Sequence, residues 1–407
     1  MNEEGESSGA GSAGGPPASS QSGPAAHAPT MIGAYGHWAA SLLPTEPGPL
    51  SLRNCPAGEF DSRRAAARAR VLECMAPPPP PPGPPVVTVH RHWQYDGLEF
   101  ELLSWPQPAG APTEALLLKP IGATGPLPGI LALHDHGGFK FFGKEKITRS
   151  GTEIQHPMVA LHQAEYYGGV SWANELARQG NVVLVHDAFA FGSRRVRLAE
   201  VSPDIHRGLL DDADASPAGV TAYNNWAGEH EHVMAKSLFS AGTTWPGIFY
   251  QEDRTAIDVL FARDEVDPER IGVGGLSGGG LRTVFLAGLD ERVKCAVCVG
   301  MMTTWRDFML NKSFTHTWMC YVPHLPRELD YSEIFGLRAP QPALVLNTHE
   351  DGLFTHAEME CAEAILQRVY KSAGAPDQFK CSWYPGGHQF NRAMQTQAFA
   401  WFDRWLV

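Results

Sequence analysis

Positive charge is scarce in this chain. Its 407 residues carry 32 Lys and Arg against 44 Asp and Glu, a formal net charge of −12. That balance argues against a nucleic-acid partner and against an anionic membrane surface, and no basic stripe interleaved with aromatics offsets it. No apolar run is long enough to span a bilayer. The N-terminus, MNEEGESSGAGSAGG, lacks the basic start and apolar stretch of a secretory signal. A disulfide framework is missing as well. The seven cysteines, Cys55, Cys74, Cys295, Cys298, Cys320, Cys361 and Cys381, are odd in number and scattered, as reduced thiols are. Cys295 and Cys298 form a C-x-x-C, but inside the strand-like run VKCAVCVG. Residues three apart on a strand face opposite sides, so two core thiols are expected there, not a redox or zinc pair. The expected location is the cytoplasm. No internal repeat is found.

What is present is enough for a sizeable core. Hydrophobic residues make up 43 % of the chain, which suits one large domain with insertions or two modest ones. Residues 1–30 are dominated by Gly, Ser, Ala and Pro, and carry too little apolar surface to order themselves. Residues 31–85 form an extension. In it, EFDSRRAAARARVLECM predicts a helix near 60–75, capped by Asp61 or Ser62, followed by the stiff spacer PPPPPPGPP. Whether this helix docks or floats is not legible. From Val86 the pattern changes. Two β-like runs meet at Asp96-Gly97, a hairpin turn signal, and EALLLKP predicts a third strand. Buried-type runs GILAL, NVVLV, RIGVGGL, VKCAVCV, PALVLNT and FKCSWY then alternate with helical stretches up to Val407. The segment 190–247 reads as long and irregular, with no clear strand pattern. Alternation of this kind predicts an α/β fold: a mostly parallel central sheet with helices on both faces, led by an antiparallel hairpin. Function on such sheets collects at the carboxyl ends of the strands.

One of those ends reads Gly275-Leu276-Ser277-Gly278-Gly279, a G-x-S-x-G after a strand and before a helix. A serine held on so sharp a turn stands exposed above the sheet, and the glycines two before and two after it avoid a strand–helix collision. The helix N-terminus favours developing negative charge, and the Gly278 N–H is placed to donate to an oxyanion. A phosphate loop is excluded because no Lys-Ser/Thr follows the glycines. A nucleophilic serine needs a base, and the base an orienting acid. HEDGLF, after one later strand, offers Asp351 or Glu350; GGHQF, after the last, offers His388. The loop LHDHGGF offers a second oxyanion donor, the backbone N–H of His136 or of Gly137, while His134 and Asp135 shape the loop.

These stretches, with VHDAFAFGSRR and DRTAIDVLFARDEVDPERIGVGGLSGGG, resemble the α/β-hydrolase superfamily, and more narrowly its dienelactone-hydrolase-like and acetyl-xylan-esterase-like branch, from about Val86 to Val407. The resemblance implies Ser277 as nucleophile, His388 as base and Asp351 as acid, with an oxyanion hole at His136 and Gly278. It implies a serine esterase acting through an acyl-enzyme on a short, acetyl-type ester of a carbohydrate or other small alcohol, without cofactor or metal. Dienelactone hydrolases often carry cysteine where this chain has Ser277. Sugar acetyl esterases tend to have a glycine and an aromatic where it has Asp135 and His136. Segments near 139–167 and 190–247 look like lid or pocket insertions. Phe191, Trp226, Trp245, Trp305 and Trp318 are candidate pocket linings, each equally at home in a plain core.

Three rival readings remain. A prolyl-oligopeptidase-like peptidase would share the catalytic domain, but no propeller repeats accompany it. A metal-dependent hydrolase would use His134 with His136, or His230 with His232, as paired ligands on a strand. A binding scaffold would have lost its triad, and here all three positions hold competent residues.

Overall fold

The computed structural model describes residues 29–43, 47–151 and 154–407. Residues 1–28 of the expected tail lie outside the described residues. The extension contributes α1 (Ala34–Ala40) and α2 (Phe60–Met75). The sheet begins with β1 (Thr88–Tyr95), β2 (Leu98–Trp105) and β3 (Thr113–Pro120), and continues through β4 (Leu127–Leu133), α3 (Pro157–Tyr167), α4 (Trp172–Arg178) and β5 (Val182–His186). Next come α5 (Pro217–Ser240), α6 (Trp245–Phe261), β6 (Val266–Leu276), α7 (Gly278–Leu289), β7 (Cys295–Val299), α8 (Trp305–Leu310) and α9 (Tyr331–Gly336). The chain closes with β8 (Ala343–Thr348), α10 (His356–Ser372), β9 (Phe379–Tyr384) and α11 (Arg392–Leu406).

The nine strands form one sheet in the order β1-β2-β3-β5-β4-β6-β7-β8-β9. Pairing is antiparallel from β1 to β5 and parallel from β5 onward. Asp96 and Gly97 turn the first hairpin with φ of 50° and 79°, the left-handed pair that a two-residue turn between twisted strands requires. The chain runs from β4 outward to β5 and then returns to β6 on the other side of β4. The carboxyl end of β4 is therefore the point where the winding reverses and a crevice opens.

Alternation along the parallel strands feeds two cores. Leu131, Leu133, Leu184, Val273, Cys298 and Val345 face one, with α2, α6, α7 and α10 over them. Ile130, Ala132, Val183, Cys295, Val297 and Leu346 face the other, under α4 and α11. Cys295 and Cys298 thus point to opposite sides of the sheet, as their spacing predicts. Burial pushes the Cys295 thiol up to about 12, and no disulfide joins any of the seven cysteines. No helix among the described residues is long and apolar enough to cross a membrane.

The extension docks. Ala67, Val71 and Met75 of α2 are buried in the first core. Arg68 donates to the carbonyls of Gly288 (2.9 Å) and Leu337 (3.0 Å), at the ends of α7 and α9. The proposed cap of α2 is corrected: no side chain caps it. A 3-10 turn, Ala57–Glu59, leads into the helix. Asp61 instead pairs with Arg64 (2.9 Å), and the Ser62 hydroxyl donates back to the Glu59 carbonyl. The proline spacer runs beside α6, with Pro80–Pro82 facing Gln251, Arg254 and Thr255 across a groove. A second correction concerns 190–247, which holds the 24-residue helix α5, begun by a Ser216 cap and Pro217. Its buried face runs through Val220, Tyr223, Ala227, Glu231 and Ala235.

Glu333 of α9 anchors the extension. Fully buried, it accepts from Ser51 Oγ (2.6 Å), the Leu52 N–H (3.0 Å) and Arg53 Nη2 (3.1 Å). Arg53→Met would leave that carboxylate without its charge partner, at an expected cost of about 3–5 kcal/mol measured by urea unfolding. Asp330, which caps α9, is pushed up to about 7, chiefly by burial. The folded protein therefore holds this proton more tightly than the unfolded chain. The stabilisation is complete below about pH 4 and is lost as pH rises through 7. Asp330→Asn keeps the acceptor for the Ser332 N–H, so its Tm is expected to change less than wild type between about pH 5 and 8.

Candidate active site

Ser277 joins β6 to α7 with φ 58° and ψ −117°, a conformation that L-residues adopt only under constraint. The constraint is visible. A Cβ on Gly275 would lie 2.3 Å from the Leu133 carbonyl oxygen at the end of β4, and one on Gly279 would lie 2.2 Å from it. Strand, turn and helix can approach this closely only without side chains at those two positions. The Ser277 N–H donates to the Val299 carbonyl (2.9 Å), tying the turn to β7.

His388 lies in the loop after β9, and Asp351 in the loop after β8. His388 Nδ1 and Asp351 Oδ2 are 2.7 Å apart, and the Asp351 side chain is fully buried. The second Asp351 oxygen accepts the Leu353 N–H (3.0 Å). A proton on Nδ1 directed at the carboxylate leaves the lone pair on Nε2. That atom is buried and has no hydrogen-bond partner among the described residues. Ser277 Oγ is therefore not yet bonded to it, a contact that commonly tightens only around substrate. Glu350 takes a different part: its carboxylate accepts the Gly386 N–H and its own N–H donates to the Gly386 carbonyl (3.2 Å), bracing the histidine loop.

Ser277, His388, Gly278, His136 and Gly137 line one cavity of about 390 Å³. A Cβ built on Gly278 would lie 2.7 Å from the His136 backbone nitrogen, so the two backbone positions are in contact. The loop itself is held by buried polar side chains. Lys146 Nζ donates to the carbonyls of Asp135 (2.7 Å) and His136 (3.0 Å). Asp135 accepts from Tyr167 (2.5 Å) and meets His162 Nε2 (3.1 Å). Burial alone would raise the Asp135 carboxyl, but the facing His162 and Lys146 charges outweigh it and hold it well below its usual range. Burial lowers Lys146 to about 8 despite Asp135. His134 Nδ1 donates to the Asp135 carbonyl (3.0 Å) and its Nε2 accepts the Ala188 N–H (3.2 Å), linking the β4 and β5 loops.

Of the aromatic candidates, Phe191 alone lines the cavity. Trp226 is stacked on His230 inside the insertion, with its indole N–H on the Ile205 carbonyl. Trp245 opens α6 against Phe189 and Phe249, and Trp305 packs on Phe308 and Tyr331. Trp318 is 42 % exposed and lies outside the cavity. The apolar walls come instead from Phe249, Leu281, Met301, Phe314 and Met319. The paired-histidine reading also fails in detail. His230 and His232 lie on a helix, not a strand, and diverge: His230 is buried, whereas His232 meets Arg207 and Lys236 at the surface. His134 and His136 turn to different partners. Among the described residues no group of three or more His, Cys, Asp or Glu side chains is arranged to hold a metal ion. Glu231, Lys146 and Thr317 escaped sequence reasoning, because nothing in their spacing marks them.

Gly278→Ala would place a methyl group against the His136 N–H. We expect the second-order rate of Ser277 labelling by a fluorophosphonate to fall about 10²–10³-fold, with the far-UV circular dichroism unchanged.

Residues 249–406 match the prolyl oligopeptidase family. The protein named "Putative hydrolase YtaP" of Bacillus subtilis (strain 168) is 28 % identical over 295 residues, 72 % of this chain and 83 % of that protein. A Bacteroides fragilis NCTC 9343 structure named "putative acetyl xylan esterase" superposes with a TM-score of 0.65 at 18 % identity, over 87 % of this chain and 83 % of that one. A glucuronoyl esterase from Solibacter usitatus superposes with a TM-score of 0.57 at 15 % identity, over 90 % of this chain and 100 % of that one. With the sheet order, the turn at Ser277 and these structural likenesses together, the chain has the α/β-hydrolase fold, and over residues 249–406 it is similar to the prolyl oligopeptidase family.

Proposed function

We propose that this protein is a serine carboxylic-ester hydrolase working through Ser277, His388 and Asp351, on short acyl esters of a carbohydrate or other small alcohol. The observation that carries the reading is the 2.7 Å Asp351–His388 pair lining up with the strained Ser277 turn and the Gly278–His136 contact at one cavity. His388 Nε2 takes the Ser277 proton as the hydroxyl attacks the ester carbonyl. The tetrahedral oxyanion is met by the N–H groups of Gly278 and of His136 or Gly137. His388 then passes the proton to the departing alkoxide, and water, activated by the same imidazole, releases the acid from the acyl-enzyme. Asp351 fixes the tautomer and stabilises the imidazolium. The chemistry asks for no cofactor or metal. A small-molecule ester is the partner in this reading, and the cytoplasm the location.

A short acyl group suits the cavity's modest volume and its apolar wall of Phe191, Phe249, Leu281 and Met301. The names of the structural neighbours, an acetyl xylan and a glucuronoyl esterase, support a carbohydrate ester. A second reading, a serine peptidase, is favoured by the family match over residues 249–406.

The test is turnover of p-nitrophenyl esters of increasing acyl length, with a proline-containing dipeptide p-nitroanilide beside them. Wild type is expected to turn over acetyl and butyryl esters and not the anilide. Ser277→Ala should lose on the order of 10⁴-fold or more in kcat, keeping only what binding and the oxyanion hole supply. Turnover of the anilide alone would replace the ester reading by the peptidase one.

A further inference from the structure

We propose that Lys146 and Glu231, which lie outside the triad, are positioning residues that aim the backbone N–H of His136 into the oxyanion hole. The inference rests on the serine-hydrolase reading of the cavity and extends it to the insertions.

The Asp135–His136 and His136–Gly137 peptide units are those whose N–H groups are the candidate donors. Both of their carbonyls are bound from behind by one ammonium group, Lys146 Nζ, at 2.7 and 3.0 Å. In a trans peptide the N–H points opposite to the C=O. Fixing the two carbonyls on Lys146 therefore turns both N–H groups away from it. The His136 N–H makes no hydrogen bond among the described residues, and its nitrogen lies against Gly278. Lys146 is itself completely buried, with its ammonium 4.7 Å from the centre of the Phe191 ring.

Glu231 holds the same residue from the front. It belongs to α5, in the second insertion, and is buried. One of its oxygens is 2.7 Å from His136 Nε2 and also accepts from Lys140 Nζ, while the other accepts from Thr317 Oγ1 (2.6 Å). His136 Nδ1 accepts the Gly138 N–H (3.0 Å). These two contacts allow one tautomer: hydrogen on Nε2, directed at Glu231, and a lone pair on Nδ1, directed at Gly138. Burial and the Lys140 charge favour this neutral ring, despite the carboxylate beside it. The ring becomes a peg between lid helix and loop. It ties His136 to Gly138 on one side and to Glu231 on the other, which holds the backbone N–H of His136 in one direction. Through Thr317 the same carboxylate also reaches a second lining segment of the cavity.

A residue that merely stabilises the fold would affect unfolding without selecting the transition state. The variants to make are Glu231→Leu with Lys140→Met, which leaves no unpaired cation buried, then Glu231→Gln in the same Lys140→Met background, and Lys146→Met. The readouts are the fluorophosphonate labelling rate of Ser277, kcat and KM on p-nitrophenyl butyrate, and Tm. The Glu231→Leu double variant and Lys146→Met are expected to lose about 10–100-fold in labelling rate and in kcat, with KM within about threefold of wild type. The Glu231→Gln double variant, whose amide oxygen still accepts from His136 Nε2, should stay within about threefold throughout. A Glu231→Leu double variant that melts cooperatively yet labels at the wild-type rate would overturn the proposal, as would a loss confined to KM or a glutamine variant as impaired as the leucine one. If Lys146→Met does not fold, the Glu231 pair decides. Labelling needs no ester substrate, so a wild type that labels but hydrolyses no ester would refute the ester reading and leave this inference standing on its own measurement.

Discussion

At Ser277 the backbone is bent to φ 58° and ψ −117°, and the sheet around it is built to keep it there. Such a conformation costs on the order of 1–3 kcal/mol and persists only where neighbours over-determine it. Here the Leu133 carbonyl presses into the space that side chains at Gly275 and Gly279 would fill, and the Ser277 N–H is tied to β7. Three parallel strands thus fix one residue. The end of β4 that presses on the turn is also the start of the His134–Gly138 loop, so the serine and its candidate oxyanion donors share one framework and cannot drift apart.

Around that framework lies a ring of buried charges, each answered by another. Lys146 faces Asp135, Lys140 faces Glu231, Lys144 faces Asp187 (2.9 Å), and Arg282 faces Asp253. Buried ion pairs of this kind add little net stability, because desolvation offsets most of the attraction. What they supply is direction: Lys146 binds the carbonyls of Asp135 and His136, and Asp187 accepts from both the backbone N–H and the side chain of Lys144. The β4 and β5 loops are irregular in backbone yet rigid by this means. The insertions take part too: α5 brings Glu231 to the cavity and so couples its own docking to the geometry of the site.

The N-terminal extension completes the opposite side of the molecule. Arg68 binds the carbonyl ends of α7 and α9, and Glu333 receives Ser51, Leu52 and Arg53 in a pocket closed to water. The helix α7, whose N-terminus carries the candidate nucleophile, is therefore held at both ends: by the sheet at one, and by residues from the extension at the other.

The parallel sheet, the hairpin at Asp96-Gly97, the opposite-facing Cys295 and Cys298, and the positions of Ser277, His388 and Asp351 were legible because each depends on local pattern. Strand alternation, turn chemistry and the placement of a residue just past a strand are all written within a dozen residues. Helix α5 was hidden because its buried face passes through His230 and Glu231, so its apolar stripe looks broken until the cavity and loop they serve are present. The choice of Asp351 over Glu350 as the partner of His388, the exclusion of Trp226, Trp245, Trp305 and Trp318 from the cavity, and the grip of Lys146 and Glu231 on the His134–Gly138 loop were decided by tertiary structure alone. Each is a contact between segments tens of residues apart, such as the 95 residues from His136 to Glu231, and no periodicity in one segment encodes which distant side chain will meet it.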